Sequence, residues 1–217
     1  MKKQKIDYSL YLVTDRGLAR GRSTIDIVKS AVEGGVTCVQ LREKDCSTRE
    51  FIEQALAIKH FLETRQVPLI INDRVDVALA VAADGVHLGQ SDMPLETARK
   101  ISGPSMLIGI SAESVQDAVE AETGGADYLG VSPIYDTLTK GDTAPALGLK
   151  GLQEIRNRVK IPLMGIGGLN KSNAADAIRN GADGIAVVSA IVSADDPAAA
   201  AMNLKLLIDK AKTHETR

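Results

Sequence analysis

Short apolar runs and helix-spaced apolar positions alternate along this chain, and the stretch 69–92 shows the unit at its clearest. Leu69, Ile70 and Ile71 form a continuous apolar run that stops at Asn72, Asp73 and Arg74. Val75, Ala78, Leu79 and Ala82 then recur at the spacing of one helix face, and residues 85–89 make a second run that ends in Gln90, Ser91 and Asp92. The segment reads as strand, helix, strand, with the two strands parallel and each ending in an acidic residue. Parallel α/β sheets bind ligands at the C-terminal edge of their strands. Asp73 and Asp92 are therefore expected to meet, although 19 positions separate them.

The same alternation runs from end to end. Further strands are predicted at 11–15, 38–43, 106–111, 128–132, 162–167 and 184–189. A helix from Ser23 is expected to turn Ile27, Ala31 and Val32 inward, and one from Ser47 to bury Phe51, Ala55, Ile58 and Leu62. Glu50, three residues after Ser47, completes a capping box. Other helices are expected over 95–101, through Val115, Ala118 and Val119, and over 152–158, 171–180 and 197–212, with a long loop at 133–149.

That gives eight strand–helix units. A weak internal repeat supports the count: Gly34-Gly35-Val36, Ala83-Asp84-Gly85, Gly125-Ala126-Asp127 and Gly181-Ala182-Asp183 each follow a helix and open every second strand. Such a period suits the alternate-strand layering of a barrel. An open, doubly wound sheet would carry a glycine-rich turn after strand one, and Asp15-Arg16-Gly17-Leu18 does not match one. The expected fold is α/β, a (β/α)8 TIM barrel, as a single domain over 1–217.

Composition narrows the function without naming it. Apolar residues make up 44% and charged residues 25%, ordinary for a globular chain. Twenty-six basic and twenty-eight acidic residues give a net charge of −2 with no basic block, which argues against nucleic acid as a partner. No run approaches a membrane span, and the apolar stretch near the N-terminus is too short for a signal-peptide core. Cys38 and Cys46 lack metal-ligand spacing and read as free thiols of a reducing, cytoplasmic compartment.

The candidate chemistry lies at the predicted strand ends. Gln40, Arg42 and Lys44 alternate along strand two, so they share one face, with Val39 and Leu41 on the other. Three polar side chains in line inside a barrel are costly unless a ligand uses them. Asn72, Asp73 and Asp92 make a hard-oxygen set suited to Mg²⁺, although Asp73 could equally cap the following helix. Gly168 after strand seven and Ser189 at the end of strand eight stand where barrels frequently bind phosphate; tight packing is the alternative reading for the glycines. Thr137, Thr139 and Lys140 add two hydroxyls and a cation in the loop after strand six. His87 reads as an interior, hydrogen-bonded histidine. The inventory suggests a metal-bridged diphosphate on one side, a monophosphate on the other, and no nucleophile–base pair.

Eight segments then carry a resemblance: YLVTD at 11–15, QLREK at 40–44, IINDRVDVAL to position 79, GVHLGQSD at 85–92, GIS at 109–111, TLTK at 137–140, GIGG at 165–168 and VVSAI at 187–191. Together, and in this order, they resemble the thiamine phosphate synthase family over nearly the whole chain. The resemblance implies a transferase that joins a pyrimidine diphosphate to a thiazole phosphate and releases pyrophosphate. It implies that Gln40, Arg42, Lys44, Asn72, Ser111 and Lys140 hold the pyrimidine diphosphate, with Arg42, Lys44 and Lys140 the catalytic cations. Asp73 and Asp92 would bind Mg²⁺, and Thr137, Thr139, Gly168, Val188 and Ser189 the thiazole phosphate. The chain departs from the family pattern at Glu113, at Ser132-Pro133 and at Asp136. A sister thiazole tautomerase would carry a histidine where Pro133 stands, and a non-catalytic phosphate-binding barrel would bind without turnover. Oligomeric state stays open, a homo-oligomer included, as does thiazole phosphate against its carboxylate.

Overall fold

The computed structural model describes residues 6–136 and 145–214. Among these, eight parallel strands close into a barrel in chain order, β1 pairing with β8 to complete the ring. The strands are β1 (Leu10–Val13), β2 (Cys38–Leu41), β3 (Leu69–Asn72), β4 (Gly85–Leu88), β5 (Leu107–Ala112), β6 (Tyr128–Val131), β7 (Leu163–Gly165) and β8 (Gly184–Val187). Around them run α1 (Thr24–Glu33), α2 (Thr48–Glu63), α3 (Val75–Ala80), α4 (Leu95–Ser102), α5 (Val115–Thr123), α6 (Gly148–Arg156), α7 (Ala174–Arg179), the short α8 (Ser189–Val192) and α9 (Pro197–His214). The expected barrel is therefore present. No helix among the described residues is long and apolar enough to cross a membrane.

Period-two alternation sorts each strand into two faces. Leu10, Leu12, Val39, Leu41, Leu69, Ile71, Val86 and Leu88 point outward into the layer shared with the helices. Tyr11, Val13, Cys38, Ile70, Leu107, Tyr128, Met164 and Ala186 fill the barrel interior with Tyr8. The outer layer is aliphatic and seals the helices. Three tyrosine rings dominate the inner one, where small residues on neighbouring strands leave them room.

Local sequence sets the helix starts. The Ser47–Glu50 capping box forms in both directions, and Ser23 and Ser114 cap α1 and α5 through Asp26 and Asp117 backbone N–H groups. The buried stripes of three helices differ from the expected ones. Val28 rather than Val32 completes the buried stripe of α1, Ala121 rather than Val119 that of α5, and Val77 rather than Leu79 that of α3. The α3 helix spans only six residues, so its stripe is set by the strands flanking it more than by its own period.

The internal repeat proves structural, in a shifted frame. Gly35, Ala82, Gly125 and Gly181 all have positive φ, and the residue two positions on is Thr37, Asp84, Asp127 or Asp183. Each of these four clips the strand before its own. Thr37 accepts from Leu10 N–H (3.0 Å), Asp84 from Leu69 (2.8 Å), Asp127 from Ile108 (2.9 Å) and Asp183 from Leu163 (2.9 Å). Each donates its own N–H back to the carbonyl of the same residue, at 2.8–3.0 Å. The first N–H of β1, β3 and β7, and that of Ile108 in β5, thus finds a partner at the bottom of the barrel, where an unsatisfied amide would be costly. The opposite, upper edge is left free for chemistry.

Candidate active site

The tops of β1 to β4 bring the charged residues together. Gln40 points inward and is 4% exposed, and Asn72 at the end of β3 is 9% exposed. Past the end of β2 the chain keeps its alternation. Arg42 turns to the barrel mouth, where its Nη1 donates to Asp15 Oδ2 at 3.0 Å. Glu43 turns the other way, its side chain 3% exposed beside Arg16 at 3.4 Å. Lys44 turns back to the mouth and pairs with Asp73. The expected one-sided set Gln40, Arg42 and Lys44 is what the structure holds.

Asp73 and Asp92 do meet. Asp92 lies beside Asp73, and its carboxyl is held above the usual carboxylate range, first by burial and then by that neighbouring acid. The Gly89 N–H (2.7 Å) and Lys44 pull the other way. Asp73 does not cap α3: the N-cap there is Arg74, and it makes no side-chain cap bond. Instead Asp73 sits at φ +62°, a conformation rare outside glycine but tolerated by Asp, and its N–H donates to His87 C=O at 2.8 Å. Strain of this kind collects at functional sites. Two acids in contact need a compensating cation. Here Lys44 supplies one, and a divalent ion suits the same oxygens. The described residues hold no group of three or more His, Cys, Asp or Glu side chains that could cage a metal. A two-carboxylate set fits Mg²⁺, which usually completes its shell with water and substrate phosphate.

Asp15 is the residue that sequence reasoning missed. Its Oδ1 caps the turn over Arg16–Leu18 through Leu18 N–H at 3.2 Å, while its other oxygen holds Arg42. The signal was available: like strands three and four, strand one is an apolar run that ends in an acid.

On the far side, the β7 strand leads into Gly167 and Gly168, at φ +95° and +64°. A Cβ at Gly168 would lie 2.7 Å from Tyr135 Cβ and 2.8 Å from Asp136 C=O, so packing alone already requires glycine there. The Gly168 carbonyl is tied to Asn170 Nδ2 (3.2 Å) and Asn173 Nδ2 (3.1 Å). Strand eight is shorter than expected. It ends at Val187, and Ser189 opens α8, a four-residue helix that the apolar run disguised as strand. Val188 is half-buried and Ser189 exposed. Ser111, at the top of β5, is half-buried and accepts through its carbonyl from Gln90 Nε2 at 2.5 Å. Thr137, Thr139 and Lys140 lie outside the described residues. His87 is interior with both ring nitrogens hydrogen-bonded, as expected.

With this geometry in place, the comparisons are specific. The family model described as thiamine monophosphate synthase matches residues 10–191. A thiamine-phosphate synthase of Chloroflexus aurantiacus is 55% identical over 203 residues, covering 94% of each chain. One from Clostridium acetobutylicum is 55% identical over 191 residues, 88% of this chain and 90% of the relative. Among solved structures, thiamine phosphate pyrophosphorylase from Pyrococcus furiosus superposes with a TM-score of 0.88 at 41% identity, covering 94% of this chain and 97% of its own. A 3-hexulose-6-phosphate synthase, 18% identical at a TM-score of 0.69, shares the fold alone.

Proposed function

The chain belongs to the thiamine monophosphate synthase family, and from that premise we propose how its barrel mouth divides the work of the reaction. The enzyme is a transferase that makes thiamine monophosphate. We read its substrates as 4-amino-2-methyl-5-(diphosphooxymethyl)pyrimidine and 4-methyl-5-(2-phosphooxyethyl)thiazole or its 2-carboxylate, both small molecules, with pyrophosphate leaving. In our reading Arg42, Lys44 and Lys140 take the diphosphate, while Gln40, Asn72 and Ser111 hold the pyrimidine side. Thr137, Thr139, Gly168, Val188 and Ser189 take the thiazole phosphate. Asp73 and Asp92 hold Mg²⁺, which when bound adds positive charge beside the departing diphosphate. The two unpaired cysteines agree with a cytoplasmic setting.

The observation that carries this division is one cluster: Lys44 on Asp73, and Asp73 against Asp92, at adjoining strand ends. It combines cations for an anionic leaving group with oxygens for a hard metal. Among the described residues at the mouth, the side chains that could act as a base are engaged, Asp15 by Arg42, Asp73 by Lys44, Asp92 by the Gly89 N–H, and His87 by Tyr128 and Ser111. None is needed. The thiazole nitrogen brings its own lone pair and has no proton to lose. The C–O bond to diphosphate breaks with both electrons going to oxygen, and the pyrimidine amino group feeds charge into the methylene left behind. The thiazole nitrogen then closes onto that carbon. Preorganised cations aimed at the charge developing on the diphosphate supply the acceleration. The test is pyrophosphate release with both substrates and Mg²⁺. Release should stop when either substrate is withheld or the metal is chelated, and release indifferent to chelation would remove Asp73 and Asp92 from the metal role.

A further inference from the structure

A chain of hydrogen bonds crosses the barrel interior beneath the site. Gln40 Nε2 donates to Tyr11 OH at 2.9 Å. Tyr11 OH meets Tyr128 OH at 2.9 Å, and Tyr128 OH meets His87 Nδ1 at 3.1 Å. His87 Nε2 meets Ser111 Oγ at 3.0 Å. The links join β2, β1, β6, β4 and β5, and both phenols are fully buried. Burial also holds both phenol pKa values well above their ordinary one, so each ring keeps its proton.

Space for this chain is made by glycine. Gly109 is the register partner of both His87 and Tyr128, and a Cβ there would lie 2.0 Å from Tyr128 Cζ. Gly130 pairs with Ser111, and a Cβ there would lie 3.1 Å from His87 Cε1. Any side chain at Gly109 would displace the Tyr128 ring, and one at Gly130 would press on the imidazole.

One direction of the chain is consistent with Gln40 Nε2 as its first donor. In that direction Tyr11, which also contacts the Cys38 thiol, accepts from Gln40 and passes its proton to Tyr128. Tyr128 in turn gives its proton to His87 Nδ1. The imidazole then carries its own proton on Nε2 and donates it to Ser111 Oγ. The two ends are thereby set in opposite senses. Gln40 is left presenting its Oε1 acceptor, and Ser111 its hydroxyl proton.

We propose that Tyr11, Tyr128 and His87 are positioning residues whose directed relay makes the site specific for an aminopyrimidine over an oxopyrimidine. The inference rests on the functional reading above, in which Gln40 and Ser111 face the pyrimidine. A 4-aminopyrimidine offers an amino donor beside ring-nitrogen acceptors, the complement of a Gln40 acceptor and a Ser111 donor. The 4-oxo analogue reverses both, with a carbonyl acceptor beside a ring N–H donor. It can be accepted only if every member of the relay turns round.

Two measurements test this. In ¹⁵N-histidine-labelled protein without substrate, His87, identified by its loss in His87→Asn, should show a pyridine-like Nδ1 and a pyrrole-like Nε2. The opposite tautomer, or an averaged pair, would overturn the relay's direction. Second, binding of the 4-amino and 4-oxo pyrimidine methyl diphosphates should differ by about 100-fold or more, as for sites with fixed hydrogen-bond polarity. Tyr128→Phe keeps the ring and cuts the relay. It should bring the two within about tenfold while leaving thiazole phosphate binding unchanged. A variant that folds and keeps the full discrimination would sink the specificity role. If Tyr128→Phe does not fold, the tautomer in the unaltered protein still decides. If neither pyrimidine binds, the functional reading and the specificity claim fall together, whereas the tautomer reports on the relay alone.

Discussion

Lys44 and Asp73, from the tops of adjacent strands β2 and β3, form an ion pair. Asp73 also lies beside Asp92, so Lys44 and a divalent cation would draw on the same carboxylate oxygens. The diphosphate would then give Lys44 a new counter-ion as metal and substrate arrive together.

If Lys44 competes with the metal in this way, removing it should tighten metal binding to the free enzyme. The lysine side chain is 51% exposed, and pairs of that kind are worth about 0–1 kcal/mol. Lys44→Met should therefore raise Mn²⁺ or Mg²⁺ affinity up to about fivefold by that figure, while weakening the diphosphate substrate. Calorimetric titration without substrate measures it, and weaker metal binding in the variant would refute the competition.

Much of this geometry was legible in the sequence, for a physical reason. Period-two alternation states which face a side chain takes, so Gln40, Arg42 and Lys44 could be turned inward, and the Asp73–Asp92 meeting followed from parallel strands alone. What alternation does not state is which inward residues touch. Tyr11 and Tyr128 are 117 positions apart, and nothing local couples them. The repeat was visible but out of frame in two of its copies. Thr37 stands where the others have Asp, and Ala82 takes the positive-φ slot otherwise held by glycine. The α8 helix was hidden because an apolar run of this length satisfies a strand and a short buried helix equally.

The outward face of the QLREK segment gives a pH-dependent prediction. Burial raises the Glu43 carboxyl above its ordinary value of 4.5, against the lowering effect of Arg16. A carboxylate whose folded pKa lies above its unfolded pKa binds its proton more readily when folded. Stability from this group is therefore present at low pH and is lost as pH rises from 4.5 through the raised value. Glu43→Gln is neutral throughout. Its melting temperature relative to the parent should be higher at pH 7 than at pH 4, and scanning calorimetry at both values checks the sign. A difference that does not change with pH would place the folded and unfolded values together.

The barrel-floor clips can be ranked. Asp127 takes the Ile108 N–H and also pairs with Arg99 at 2.6 Å, with its side chain 15% exposed. Asp183 takes the Leu163 N–H and pairs with Arg156 at 3.1 Å, but is 52% exposed. Leaving a buried donor unsatisfied costs about 1–3 kcal/mol. Asp127→Ala should fall in that range and lower the melting temperature by roughly 2–12 °C for a domain of this size. Asp183→Ala should cost less, because water can replace the lost acceptor. Asp127→Asn keeps an oxygen for the N–H and should recover most of the loss. Equal costs for the two alanine variants would mean that burial does not set the strength of these clips.

The last prediction concerns how the bond to diphosphate breaks. In the proposed mechanism, the paired cations and the acidic pair at the barrel mouth stabilise a departing anion, and no proton has to move. If the leaving group departs before the thiazole nitrogen bonds, positive charge builds on the pyrimidine methylene, and the ring must carry it. An electron-withdrawing substituent on the pyrimidine opposes that charge directly. It should slow single-turnover product formation steeply, by 100-fold or more for about 3 kcal/mol of lost cation stabilisation. Substrate affinity should change little, because the diphosphate contacts are untouched. Removing a cation acts on the other half of the same separation. Arg42→Ala should lower the single-turnover rate by roughly 10²–10³-fold, the size expected for one preorganised group facing developing charge. Asp15→Asn, which only loosens the guanidinium, should cost less. The two effects diagnose the mechanism together. Direct displacement would keep the cation dependence, because the diphosphate still departs, but the substituent effect would be shallow, since the incoming nitrogen shares the charge. An analogue that reacts as fast as the parent would therefore rule out ionisation while leaving the diphosphate site where it is.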